Sequence, residues 1–419
     1  MDVPDAILLM GDKQWQEIKS KLTGKFNKMM KGLFRQKGAQ LDINILASDE
    51  AQEFITTHAG ILDAGFQKVE MSDKMRERLT RSNYIFSGIK TFHELNEAFP
   101  SMLDENGNKK TFERFLNDVQ KINDTYNANY LHAEYNFVQA SATMAAKWEQ
   151  FREDGDQYYL QYRTAKDGKV RPEHAALDGV TLPPSDSFWD TYYPPNGWNC
   201  RCNVIQVRKQ KYTATEHSEA MNRGEEAMNG QKYNIFRFNS GKQGKTMPDY
   251  NPYTIRRCND CDVAKGKMKL GFVPDYQLCQ GCIMIRKCSE DRNRDNSAKA
   301  TKKSPEVKKL QGTTISNPDF NHEVLVTGGS IREWTNQPHK DYAAKNSILK
   351  HIAKVFREAK YIGFIDNFKM KPGIKQSHLF ETNVLGELSW IIVREYEIGE
   401  FVLHSISDSD KIKTGIRKE

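Results

Sequence analysis

The stretch Tyr162–Val204 reads YRTAKDGKVRPEHAALDGVTLPPSDSFWDTYYPPNGWNCRCNV. Prolines and glycines interrupt it too often for a long helix or strand, so it predicts a turn-rich module. Its aromatic set, Phe188, Trp189, Tyr192, Tyr193 and Trp198, has two readings. Aromatics anchor interfaces, which would make it a docking surface, or they form the small core of a loop-rich domain. His174 with Cys200 and Cys202 forms a second metal or structural cluster: three soft ligands for a metal, or cysteines used as small buried hydrophobes next to a histidine.

Upstream, residues 1 to about 150 read as helical. Trp15, Ile18, Leu22, Phe26 and Met29 recur at three- and four-residue spacing, as do Phe115, Val119, Ile122 and Tyr126. Leu131, Tyr135, Val138, Ala142, Ala145 and Trp148 resume the pattern after the polar Asp124-Thr125. Such stripes predict core and imply no cofactor.

Downstream, cysteines appear for the first time at Cys200. Cys258 and Cys261, with Cys279 and Cys282, form two CxxC pairs at zinc-ribbon spacing. Four thiolates on two tight turns close a tetrahedral site, so structural zinc is expected over 252–288; Cys288 has no assigned role. Between Ile283 and Gln311 nine basic residues face four acidic ones. Residues 289–321 therefore read as a basic flexible linker, with Arg286, Lys287, Lys302, Lys303, Lys308 and Lys309 available to nucleic acid through counterion release. A solvated tether with no ligand is the competing reading.

With 419 residues, several units are expected. A hydrophobic share of 38% against 28% charged residues describes a polar-surfaced globular protein. No stretch approaches the roughly 20 apolar residues of a membrane span, and the N-terminus lacks a secretory signal, so assembly in a cytoplasm is expected.

The opening stretch resembles the signature of the phage Mu F-like minor head protein family. The resemblance is carried by Arg163-Thr164, Asp167, Val170-Arg171-Pro172, His174, Leu177-Asp178-Gly179, Phe188-Trp189, Pro194-Pro195-Asn196-Gly197 and Asn199-Cys200-Arg201-Cys202. It implies a head morphogenesis protein of the virion near the portal, with portal and other capsid proteins and phage DNA as partners. Residues 1–210 would be the helical part plus a small irregular or β Mu F-like module, and 211–288 a connecting region.

The last hundred residues read as a separate α+β unit, 322–419, with one helix on an antiparallel sheet. Strands are expected at Val324–Thr327, Tyr361–Ile365, Leu388–Arg394 and Phe401–Ile406, and an apolar helical face at Ile348, Ile352, Val355, Phe356 and Ala359. The fold class is thus multidomain α+β. On Ser330-Ile331, Asn336-Gln337-Pro338-His339, Lys345-Asn346, Ala359-Lys360-Tyr361-Ile362-Gly363, His378, Ile391-Ile392-Val393-Arg394 and Leu403-His404-Ser405-Ile406-Ser407-Asp408 this unit is similar to the phage-borne branch of the barnase, EndoU, colicin and RelE-like ribonucleases, which implies a metal-independent RNase effector acting on host RNA; the alternative is a DNA-binding or ejection protein with an inert tail domain. Five of the ten histidines fall here, and such cleavage needs an acid, a base and a cation for phosphate. His339 and His378 are assigned to proton transfer, Lys345 to phosphate charge, and Ser405 or Ser407 to substrate positioning. Along the last strand, strict alternation sets Ser405 and Ser407 on the face of Phe401 and Leu403, and His404 on the other.

Overall fold

The computed structural model describes residues 12–38, 40–248, 251–253, 280–367, 372–384 and 387–417. The chain divides into two units, Met1–Ser289 and Glu290–Glu419. Cys258, Cys261 and Cys279 lie outside the described residues, and with them the expected four-cysteine zinc site; Cys282 is buried in the helix Gln280–Lys303.

In the first unit α1 (Asp12–Phe34), α4 (Phe112–Asp124) and α5 (Leu131–Asp154) carry the predicted stripes, and α2 (Asp49–Ala64) and α3 (Asp73–Ala98) come between α1 and α4 along the chain. Leu22, Phe26, Met29, Met30 and Leu33 of α1 bury completely or nearly so, as do Phe115 and Val119 of α4. Ser48, Ser72 and Thr111 cap α2, α3 and α4 by accepting hydrogen bonds from N–H groups three residues on. The polar interruption between α4 and α5 is a π-helical turn, Thr125–Asn129.

Polar side chains also enter this core. Lys90 of α3 donates to Glu134 of α5 and to the Tyr126 carbonyl, both at 2.7 Å, and lies 3.0 Å from His58 Nε2 of α2. Tyr253, more than a hundred residues away, donates to the other Glu134 oxygen. Burial would raise the Glu134 carboxyl, but Lys90 and His58 outweigh it and hold it at about 2. Burial and the Lys90 charge keep His58 neutral, down at about 4. Glu94, one turn from Lys90, is pushed up by burial to about 8 and so is protonated in the folded protein at neutral pH.

Residues after α5 form a three-stranded antiparallel sheet of β1 (Tyr158–Arg163), β2 (Thr181–Leu182) and β3 (Asn203–Arg208), in the order β2-β1-β3, with Tyr162 opposite Val204. The span 211–253 is not the connector expected. Ala220, Met228, Tyr233, Phe236, Phe238, Met247 and Tyr253 join the same hydrophobic core as α1 to α5. Gly241 lies so close to Trp148 of α5 that a Cβ would come within 2.1 Å of that side chain. The apolar residues spaced through a polar stretch are what draw it back.

The second unit holds a six-stranded sheet: β4 (Thr313–Asn317), β5 (Phe320–Val326), β6 (Lys360–Asp366), β7 (Ile374–Val384), β8 (Glu387–Tyr396) and β9 (Phe401–Ser407), ordered β4-β5-β9-β8-β7-β6. Three differences from expectation follow. The segment read as a flexible linker is regular: the helices Gln280–Lys303 and Pro305–Leu310 lead into β4, because Ala298, Thr301 and Val307 bury between the charges. The sheet is mixed, since β9 enters beside β5 in parallel. Finally, the β8–β9 register slips between Ile392 and Val393, which pair with Ser405 and Leu403. His404 is therefore the extra residue of a bulge. Phe401, Leu403 and Ile406 all reach the helix-covered core, while Ser405 and Ser407 pair with Ile392 and Trp390 on the other face.

Gly328-Gly329 starts a helix, Gly328–Asn336, through a capping box of Thr327 and Ser330, rather than only ending a strand. Tyr342–Ser347 and Ile352–Glu358 complete the helical layer, with Ile352 and Phe356 fully buried.

The Glu94 carboxyl gives a pH prediction. Its folded-state value lies above the ordinary 4.5, so the unfolded chain ionises first and stability falls as pH rises from about 4.5 to about 8. Glu94→Gln should stabilise the protein at about pH 8 by a few kcal/mol in urea unfolding, and change little near pH 5. An equal effect at both pH values would show that Glu94 is ionised in the fold. Removing a partner from the neighbouring pair by Glu134→Ala should cost about 3–5 kcal/mol in the same assay.

Candidate metal centre

Between β1 and β3 the chain makes a long excursion with little regular structure, and short hydrogen bonds fix its path. Gly179 N–H donates to the Tyr162 carbonyl at 2.9 Å, with Gly179 at φ +84°, where a side chain would be strained. Asp178 accepts from Thr164 N–H at 2.8 Å, and the buried Tyr162 hydroxyl donates to Asn196 Oδ1 at 2.8 Å. Helix α5 is the platform: Tyr193 donates to the Met144 carbonyl at 2.9 Å, Asn136 to Asn199 at 3.0 Å, and Lys147 to Asn203 at 2.7 Å.

Phe188, Trp189, Tyr192 and Tyr193 have no exposed area. The docking-surface reading of the aromatic set is thereby replaced for these four: they are core. Phe188 and Trp189 meet edge-on at 5.0 Å, Trp148 of α5 meets Tyr193 at 5.0 Å, and Trp189 Nε1 donates to the Pro183 carbonyl.

The excursion folds its two ends onto each other. The turn of helix Pro172–Ala175 carries His174, and the residues just before β3 carry Cys200 and Cys202. His174 Nδ1 lies 3.7 Å from Cys200 Sγ and 3.8 Å from Cys202 Sγ, and the three donor atoms all fall within 4.8 Å of one another. His174 and Cys200 are buried, Cys202 half-buried. Asn199, in the left-handed region at φ +56°, turns the backbone into this position. Gly197 lets the Arg171 guanidinium approach to where a Cβ would be 3.0 Å away, and Arg171 donates to the Trp198 carbonyl at 2.6 Å. Arg201, between the cysteines, turns outward to a two-pronged pair with Asp167. Within the thiol pair, a hydrogen bond from Cys202, helped by His174, holds Cys200 well below the usual thiol range, and that same hydrogen bond, with burial and the Cys200 charge, drives Cys202 up. Two thiols and an imidazole so placed can hold a metal ion.

The residues assigned to catalysis in the second unit are not gathered into one site. His339 Nε2 meets Ser389 Oγ at 3.0 Å, whereas His378 stands opposite Val393, four residues further along β8, roughly 13 Å away at the usual rise per residue. His378 is buried under the rings of Phe320 and Phe401, with Nδ1 against the Tyr361 hydroxyl and Nε2 against Glu395, both at 3.0 Å. Glu395 and Tyr361 were not singled out from sequence; the alternation along β8 places Glu395 on the face of Val393, the one signal that could have found it.

Lys345 is likewise buried, donating to the carbonyls of Trp334 at 2.5 Å and Gln337 at 2.8 Å. Burial, with Arg294 nearby and Asp408 opposing, brings it down to about 7. Burial also lowers His339, against the pull of Asp408. His339 and Lys345 thus share one neighbourhood with Asp408, and His378 does not. Ser405 is buried on the opposite face of the sheet, and Ser407 accepts from Ser409 N–H at 3.2 Å. Of the basic residues offered to DNA, Lys287, Lys302, Lys303, Lys308 and Lys309 are exposed and Arg286 is half-buried, all on helices.

Comparison with known proteins agrees with the excursion's geometry. Residues 105–205 match the family model described as Phage Mu protein F like protein, which runs from just before α4 into β3. The chain therefore carries a Mu F-like domain. Residues 293–403 match a second family, Large polyvalent protein-associated domain 3.

Two curated relatives align. The F protein of Escherichia phage Mu, whose name assigns it to capsid assembly, is 32% identical over 177 residues, 41% of this chain and 38% of that one. The Mu-like prophage FluMu F protein of Haemophilus influenzae is 32% identical over 205 residues, 46% of this chain and 42% of that one. The chain thus spans about two fifths of the length of these relatives. No solved structure matches it.

Burial of the aromatic set has a direct consequence. Trp189→Ala should cost about 3–5 kcal/mol in urea unfolding, as deletion of a large core ring does. A cost under about 1 kcal/mol would return Trp189 to the surface.

Proposed function

We propose that this protein is a phage head morphogenesis protein that works in the virion near the portal, is assembled in the host cytoplasm, and meets portal and other capsid proteins. The observation that carries the reading is the Mu F-like domain at 105–205, whose matched residues build the α5 platform and the excursion docked on it. No helix among the described residues is long and apolar enough to cross a membrane. Mass spectrometry of purified particles should recover peptides from both units, and deletion of the gene should abolish infectious heads. Particles that lack the protein and stay infectious without it would overturn the reading.

Phage DNA is proposed as a further partner, on the strength of the exposed lysines of the helices Gln280–Lys303 and Pro305–Leu310. Each phosphate neutralised adds about −0.9 to the slope of log affinity against log salt, so Lys302→Glu with Lys303→Glu should lower the affinity and make the slope less negative. Unchanged affinity in the double variant removes this contact.

A second reading, RNA cleavage by the C-terminal unit, is favoured by one feature: Lys345 brought to about 7 beside His339 and Asp408. The full chain in EDTA should then cut RNA, with a loss of about 100-fold or more in His339→Ala. Absence of cleavage leaves the alternative, an inert unit carried by a DNA-binding protein.

A further inference from the structure

The excursion from β1 to β3 joins two short segments, His174 on one turn of helix and Cys200-Arg201-Cys202 before a strand, with few regular hydrogen bonds between them. Arg171 already ties the two through the Trp198 carbonyl at 2.6 Å, and a metal shared between them would raise the cost of opening the loop further. We infer that His174 Nδ1, Cys200 Sγ and Cys202 Sγ bind one zinc ion that ties the ends of the excursion together, with a water in the fourth position.

Geometry supports this first. A tetrahedral zinc with Zn–N of about 2.0 Å and Zn–S of about 2.3 Å places nitrogen and sulfur about 3.5 Å apart. The two separations here are 3.7 and 3.8 Å. Those separations are within about 0.3 Å of the edges of a coordination tetrahedron, and all three donors converge although they come from segments 26 and 28 residues apart.

Hydrogen-bond accounting supports it next. His174 is 2% exposed, its Nε2 has no hydrogen-bond partner among the described residues, and its Nδ1 meets only sulfur. Thiols are weak partners, so without a metal a buried imidazole is poorly satisfied at both nitrogens. A zinc ion on Nδ1 turns its contacts into strong bonds. Two thiolates also neutralise the dication, which suits a buried place.

The fourth position follows from the space beside the cluster. A cleft of about 20 Å³ opens there, lined by Lys169, Arg171, Asn199 and Arg201 among others. That is room for one water and no more. None of the lining side chains is a carboxylate, imidazole or thiol besides the three ligands, so the protein offers no fourth donor of the usual kinds.

The test must separate this site from the paired CxxC motifs. Full-length Cys258→Ser/Cys261→Ser protein, purified without added chelator, should carry about one zinc ion per chain by elemental analysis, and after exchange with Co²⁺ it should show a thiolate-to-cobalt absorption band. Adding Cys202→Ser, at a half-buried position, or His174→Ala should remove both zinc and band. If the Cys258→Ser/Cys261→Ser protein holds no zinc and gives no cobalt–thiolate band, the site does not exist. Unchanged zinc after Cys202→Ser and His174→Ala would equally overturn it. Neither outcome touches the head-assembly reading, which rests on the particles and not on the metal.

Discussion

One carboxylate, that of Glu134, holds the first unit in register. Its two oxygens take Lys90 from α3 and Tyr253 from the far end of the unit, and His58 of α2 closes the group. A buried ion pair is seldom a net gain over apolar packing, but it penalises every arrangement in which a partner is missing. Here that penalty selects one rotation of α5 about its axis, and α5 is the helix on which everything downstream is laid.

From that constraint the rest of the unit follows. With Glu134 facing α2 and α3, Met144 and Lys147, roughly three to four turns along the same helix, present a carbonyl and an ammonium to the excursion. Tyr193 and Asn203 dock there, and Asn199 is held by Asn136. The three-stranded sheet is tied to that helix at β3, where Lys147 donates to Asn203. The returning span 217–253 packs on α5 as well, with Gly241 against Trp148, Asn239 donating to the Trp189 carbonyl at 2.9 Å and Tyr253 completing the Glu134 group. The Glu134 group thus joins α2, α3 and α5 to the returning span.

Local periodicity was enough to read α1, α4 and α5, since Leu22, Phe26 and Met29, or Phe115 and Val119, bury where a 3.6-residue repeat sets them. The irregular character of 162–204 was also plain from its prolines and glycines. Interactions distant in sequence were not legible. Nothing in Tyr253 announces a partner at Glu134, and charge density hid the helix Gln280–Lys303, whose inward face is made partly of Ser289, Ala298 and Thr301 rather than of large apolar residues. The convergence of His174 with the two cysteines was visible only as a list of ligand types; the 3.7 and 3.8 Å separations needed the fold.

The second unit shows why counting titratable residues overstates an active site. Histidine was enriched there, yet the two assigned to proton transfer serve different ends of the sheet. His378 fills both of its nitrogens with Tyr361 and Glu395 under aromatic rings, which is how a sheet buries an imidazole without leaving it unsatisfied. The bulge at His404 had the larger effect on the reading. A single extra residue in β9 moves Ser405 and Ser407 away from the face of Phe401 and Leu403, so any site built on alternation alone acquires the wrong serines. What remains together is His339, Lys345 and Asp408, joined by the loop after the helix Gly328–Asn336, where two carbonyls hold an ammonium that burial has made easy to deprotonate. The fold thus gathers His339 and Lys345 around Asp408 and sets His378 apart with Tyr361 and Glu395.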